Sequence, residues 1–124
     1  MGRGEEAVRH GEQGLKLSPA DQLLFYYYNA LAWACFSLGR YQEAVRWARM
    51  SASENPKFTA NLRILIAALV ALEKKGEARE VGKCLIRLNP TFSLRVYGTT
   101  LQPFRDEAIK RRFMRYLAMA GLPP

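Results

Sequence analysis

The sequence predicts an all-α protein built from stacked helix pairs, and three observations predict it. A short phrase recurs: Glu6-Ala7 to Leu17-Ser18-Pro19, Glu43-Ala44 to Glu54-Asn55-Pro56, and Glu77-Ala78 to Leu88-Asn89-Pro90. Alanine and proline are 12 residues apart in every copy, and the last two copies are 34 residues apart. Between these marks, apolar residues return at three- and four-residue steps, the period of a helix with one buried face. A fixed period near 34, with a small residue inside a helix and proline at the unit boundary, points to a solenoid. Such an array presents surfaces rather than enclosing a reaction centre.

The elements follow in order. Residues 4–17 read as a helix whose inner stripe is Ala7, Val8, Gly11 and Leu15, although Gly11 and Gly14 weaken it. Ser18-Pro19 stops it, and Asp21 is the expected N-cap of a long helix over 22–38. Its stripe is Leu24, Tyr28, Leu31, Ala32, Cys35 and Leu38, and Gly39 ends it. A helix over 41–53 turns Ala44, Val45, Ala48 and Ser51 inward, and Asn55-Pro56 closes the pair. The next pair spans 59–74 and 76–88, joined by the polar turn Glu73-Lys74-Lys75-Gly76 and closed by Asn89-Pro90. The domain plan is thus a half repeat over 1–19, repeats over 22–56 and 59–90, and a C-terminal segment over 91–124. Pro19 and Pro56 are 37 residues apart, so three extra residues fall in the loop near Ala20-Asp21-Gln22.

After Pro90 the repeat stops. Residues 91–101 predict a short helix weakened by Gly98, Thr99 and Thr100, and Gln102-Pro103-Phe104 breaks it. The last helix runs over 106–120, with Ile109, Phe113, Tyr116, Leu117 and Ala120 on one stripe and Gly121 as its stop. An amphipathic terminal helix suits the end of a stack, where the last unit needs one wet face.

Composition narrows the function classes. No apolar run has the roughly 18–20 residues of a membrane span, and Met1 to Glu6 hold no apolar stretch of a leader peptide. Two cysteines, Cys35 and Cys84, lie in helical patterns without metal or disulfide spacing. His10 is the single histidine and has no metal-ligand cluster or catalytic triad context. Together these features predict a cytoplasmic protein with no cofactor, no metal and no chemistry of its own. The net charge of +8 lies wholly in residues 55–124, because residues 1–54 carry six basic and six acidic side chains. A half this basic points to an acidic partner, nucleic acid or a membrane surface, or to a merely solvated face.

The central copy, Leu38-Gly39-Arg40-Tyr41-Gln42-Glu43-Ala44-Val45 closed by Asn55-Pro56, resembles the tetratricopeptide repeat (TPR). That resemblance implies a right-handed superhelix of antiparallel helix pairs, with Ala32 and Ala44 at the crossing, Gly39 in the turn and Tyr41 beneath it. The third copy departs from the pattern: Glu73 replaces the turn glycine, Lys75 the tyrosine, and Ile66 the small residue. A finer likeness joins Leu17-Ser18-Pro19-Ala20-Asp21, Trp47-Ala48, Pro103-Phe104-Arg105-Asp106, Arg115-Tyr116-Leu117 and Ala120-Gly121-Leu122-Pro123. These segments resemble the C-terminal TPR region of bacterial class III adenylate/guanylate cyclases, with related tails behind winged-helix regulators. The likeness implies a regulatory tail of a larger signalling protein, and no catalytic residue is carried over.

In a TPR the first helix of each pair lines a concave groove. The resemblance therefore implies that Tyr26, Asn29, Trp33, Phe36 and Arg63 face a partner, a protein, a peptide or an upstream domain of the same chain. Aromatic and arginine side chains are common binding anchors. The competing reading is that Trp33 and Phe36 pack against the C-terminal helix. Asn29 and Arg63 supply only part of a carboxylate-gripping set, so an apolar or aromatic segment is the expected guest. Lys110, Arg111, Arg112 and Arg115 form a basic patch, the mark of the alternative class, a nucleic-acid-associated module or winged-helix regulator tail. Phe113 and Tyr116 fall on the apolar stripe rather than beside that patch, which disfavours base stacking. The unpaired first helix, with Val8, Leu15 and Leu17, predicts self-association.

Overall fold

The computed structural model describes Gly4 and residues 23–99 and 105–124. Six helices occur among them: α1 Leu24–Ser37, α2 Tyr41–Glu54, α3 Thr59–Ala71, α4 Lys75–Leu88, α5 Leu94–Thr99 and α6 Glu107–Met119. No strand occurs among the described residues, and no helix there is long and apolar enough to cross a membrane. The chain is all-α. The expected half repeat over 1–19, the Asp21 cap, His10, the face of Val8, Leu15 and Leu17, and the break at Gln102-Pro103-Phe104 lie outside the described residues, Gly4 apart.

Each helix packs on the next from α1 to α4, α1 also reaches α3, and α6 lies against α3 and α5. Consecutive helices joined by such short turns run antiparallel. α3 is the hub. Asn61, Leu62 and every residue from Ile64 to Val70 are buried, because neighbours cover it on most sides. α2 and α4 are outer helices and bury one stripe each: Ala44, Val45, Ala48 and Ser51 on α2, and Ala78, Gly82 and Leu85 on α4. Ile66, in the slot of a small residue, is fully buried.

The 34-residue period holds bond by bond. Arg40 N donates to Cys35 O and Lys74 N to Leu69 O, both at 2.8 Å. Gly39 N meets Phe36 O at 3.0 Å, and Glu73 N meets Val70 O at 2.9 Å. At the exits, Asn55 N donates to Ser51 O at 2.9 Å and Asn89 N to Leu85 O at 2.8 Å. Phe58 N then reaches Asn55 O, as Phe92 N reaches Asn89 O. Each of these pairs is offset by 34 positions, so one local conformation is written twice.

The turn residues carry a cost the sequence half reveals. Gly39 has φ +77° and Glu73 has φ +63°, both left-handed. Glycine takes that conformation freely, whereas a Cβ costs roughly 1–2 kcal/mol there. Glu73 thus departs from the repeat pattern in composition but not in backbone. Glu73→Gly is expected to stabilise the chain by up to about 1 kcal/mol, the strain relief less glycine's entropic loss. Urea unfolding followed by far-UV circular dichroism checks this, and a lower midpoint would contradict it.

Both expected C-terminal helices form: the first starts at Leu94 instead of residue 91, and the second spans Glu107–Met119 within the expected 106–120. α5 begins where a further first helix would begin, and its described part is Leu94–Thr99. Asp106 caps α6: its carboxylate accepts from Ala108 N at 2.8 Å and Ile109 N at 3.3 Å. Gly121, at φ +83°, stops α6. The tail then crosses α4 at Gly82, where an added Cβ would lie 3.3 Å from Leu122 Cδ2. Leu94 N and the Ser93 hydroxyl donate to the carbonyls of Pro123 and Pro124, tying the tail to the start of α5.

Candidate functional site

The face expected to receive a partner is covered by the chain's own C-terminal helix. Phe36 is fully buried beneath α6. Its ring meets Phe113 edge-on at 5.8 Å between centroids and Tyr116 at 6.2 Å. Trp33 is half-buried, 5.1 Å from the Phe113 ring. Phe113 and Leu117 are themselves fully buried. The apolar stripe of α6 explains this docking, since burying aromatic area is the largest gain a helix this short can obtain.

Asn29 also faces inward. The Trp33 indole N–H donates to Asn29 Oδ1 at 3.1 Å, and Asn29 Nδ2 donates to Asn61 Oδ1 at 3.1 Å. Asn61 Nδ2 donates to the Ala48 carbonyl at 2.7 Å. The relay joins α1, α3 and α2 through the core, where polar groups must be paired. Asn61 was not legible as its centre, although an asparagine heading the apolar run of α3 is the signal that marks it.

Arg63 is half-buried, with its guanidinium 4.8 Å from the centre of the Tyr97 ring on α5. Burial pushes the Tyr97 hydroxyl above its ordinary pKa of 10.0, and the Arg63 charge offsets part of that rise. Tyr26 alone of the five stands open, 51% exposed, in a three-ring cluster with Phe25 and Phe58. Trp33 and Phe36 are therefore covered by α6 and Arg63 is met by α5, Asn29 is paired in the core with Asn61, and Tyr26 stands open.

The four basic residues of α6 do not stand together. Arg111 and Arg115 are exposed and Lys110 is half-buried. Arg112 turns inward, donates to the Phe36 carbonyl at 3.3 Å, and sits over the Phe36 and Tyr41 rings at 5.5 and 5.8 Å. Desolvation is the main reason that the nearby Tyr41 hydroxyl is raised above 10.0, with Tyr116 adding to the rise and Arg112 opposing it. Arg112 is thus a packing residue, and the exposed patch is smaller than the sequence suggests.

A second feature lies on the opposite side of the pair. A cleft of about 360 Å³ opens along α2 and the α3–α4 turn. It is lined by Gln42, Val45, Arg46, Arg49, Met50, Leu72 and Lys74. Arg46 is one helical turn from both Arg49 and Met50 on α2, so helix geometry puts it on a shared face with each. The turn after α3 adds Leu72 and Lys74 from a distant part of the sequence, which is why periodicity alone does not reveal the cleft. The guanidinium of Arg49 is paired with Glu77. Compared with known proteins, the chain matches no family model and no curated protein.

Proposed function

We propose that the chain is a non-enzymatic protein-interaction or regulatory module of the TPR type. On this reading it is a tail of a larger signalling protein such as a nucleotide cyclase. The observation that carries it is the 34-residue identity of turn and exit bonds, from Gly39 and Glu73 to Asn55 and Asn89. Repetition of a packing unit builds surface without converging side chains on one point, which suits recognition. The resemblance of the terminal segments to cyclase tails supplies the regulatory half of the proposal.

With the inner face filled by α6, partner contact falls to the outer surfaces. The nucleic-acid reading loses support from the same geometry, because Phe113 and Tyr116 project from α6 onto Phe36 and Arg112 bends inward to the Phe36 carbonyl. Immobilised full chain is expected to retain a protein from source-cell lysate saturably and after nuclease treatment, and that protein, once purified, should bind the purified chain. Retention of nucleic acid alone, or capture abolished by nuclease, would overturn the proposal.

A further inference from the structure

We propose that the outer cleft along α2 docks an acidic peptide segment bearing an aliphatic side chain. This deepens the interaction-module reading and rests on it. Three cations line the cleft, and the one carboxylate paired there, Glu77, is taken by Arg49. Arg46 and Lys74 are exposed, and neither forms an ion pair among the described residues. Two unpaired positive charges across one opening favour a ligand with at least two carboxylates, and in a chain of net charge +8 they add to its attraction for anions.

Arg46 is held before any ligand arrives. Its guanidinium carbon lies 4.8 Å from the Trp47 ring centre. A side chain already placed loses less freedom on binding.

Between the cations the lining is apolar. Val45 is buried at the base, Leu72 is half-buried, and Met50 is 39% exposed. A bare inorganic anion would leave this floor wet, whereas a leucine-like side chain would cover it. Methionine adapts to such guests because its chain is unbranched. The volume sits at the small end of the range of about 300–1,000 Å³ common to ligand sites.

The same surroundings disfavour nucleic acid. Binding single strands needs bare aromatic faces. Here Trp47 is stacked against Tyr28 at 5.8 Å and overlaid by Arg46. The segment that fits is therefore an acidic, aliphatic peptide.

The test uses the full chain and a fluorescein-labelled, end-blocked peptide, Asp-Glu-Leu-Asp-Glu, followed by anisotropy at low salt. Saturable binding is expected. The double charge reversal Arg46→Glu with Lys74→Glu, at two exposed positions, is expected to weaken it at least about tenfold while circular dichroism stays unchanged. Met50→Ser, or serine in place of the peptide's leucine, should weaken it about threefold or more by wetting the floor. Absence of saturable binding, indifference to the double reversal, or tighter binding of a mixed-sequence single-stranded oligonucleotide would overturn the proposal. Lysate capture that survives the reversal would remove this cleft while leaving the interaction module in place. Loss of all capture by the unaltered chain would remove the module reading itself.

Discussion

Asn61→Leu is expected to destabilise the chain by about 2–6 kcal/mol. Leucine keeps the branching of asparagine but is bulkier, so at this fully buried position the loss comes from crowding and lost hydrogen bonds, not from a cavity. It leaves the Asn29 amide N–H without its acceptor and takes the second donor from the Ala48 carbonyl, which keeps its bond within α2. The orphaned amide costs about 1–3 kcal/mol, and forcing the bulkier leucine into the packed core costs about 1–3 kcal/mol more. The sum is a large share of the roughly 5–15 kcal/mol that holds a domain folded. Chemical denaturation followed by circular dichroism measures it. Asn29→Leu combined with Asn61→Leu is expected to cost less than the two single changes added together, because the pair then vanishes rather than being orphaned. A loss under 1 kcal/mol for Asn61→Leu would show that the relay does not join the three helices.

Phe113→Ala is expected to cost about 3–5 kcal/mol, the range for truncating a buried phenylalanine. The ring is fully buried and touches Trp33, Phe36 and Tyr97. Its removal opens a void between α6 and both α1 and α5. Trp33 then reports directly: its emission should shift to longer wavelength as water reaches the ring. A change in stability below 1 kcal/mol with unshifted emission would mean that α6 does not rest on this face. The exposed Met119→Ala on the same helix is the control, since surface changes stay within about 0.5 kcal/mol.

The helices and their pairing were legible because both are local properties. Apolar spacing gives the buried stripe of α2 residue by residue, from Ala44 to Ser51, and the copied phrase gives the two turns. Gly39 announces its left-handed backbone, whereas Glu73 conceals the same geometry behind an unsuitable side chain. What a repeat cannot announce is where the non-repeating end will go. The stripe of α6 requires burial somewhere, but Phe113 finding Trp33 and Phe36 is a contact across 80 and 77 positions. The pattern likewise places Arg112 off that stripe, although its long side chain curls back over the Phe36 and Tyr41 rings.

The candidate site divides in the same way. Steps of four and three residues put Asn29, Trp33 and Phe36 on one side of α1, whereas Arg63 belongs to α3. Their partner was not legible, because it is another part of this chain. The outer cleft escaped notice because its two walls are Arg46-Arg49-Met50 on α2 and Leu72-Lys74 beyond α3, which meet only after the pair has closed.

The placement of α6 has a mechanical consequence. A row of hairpins joined only neighbour to neighbour behaves as a spring, because each junction yields a little under load. Here one strut bridges the first members of two adjacent hairpins, through Phe36 on one side and the hub helix on the other. Such a tie stiffens the stack of helices. Pulled from its ends, the array would hold its length until the strut tears away, then lengthen in one abrupt step.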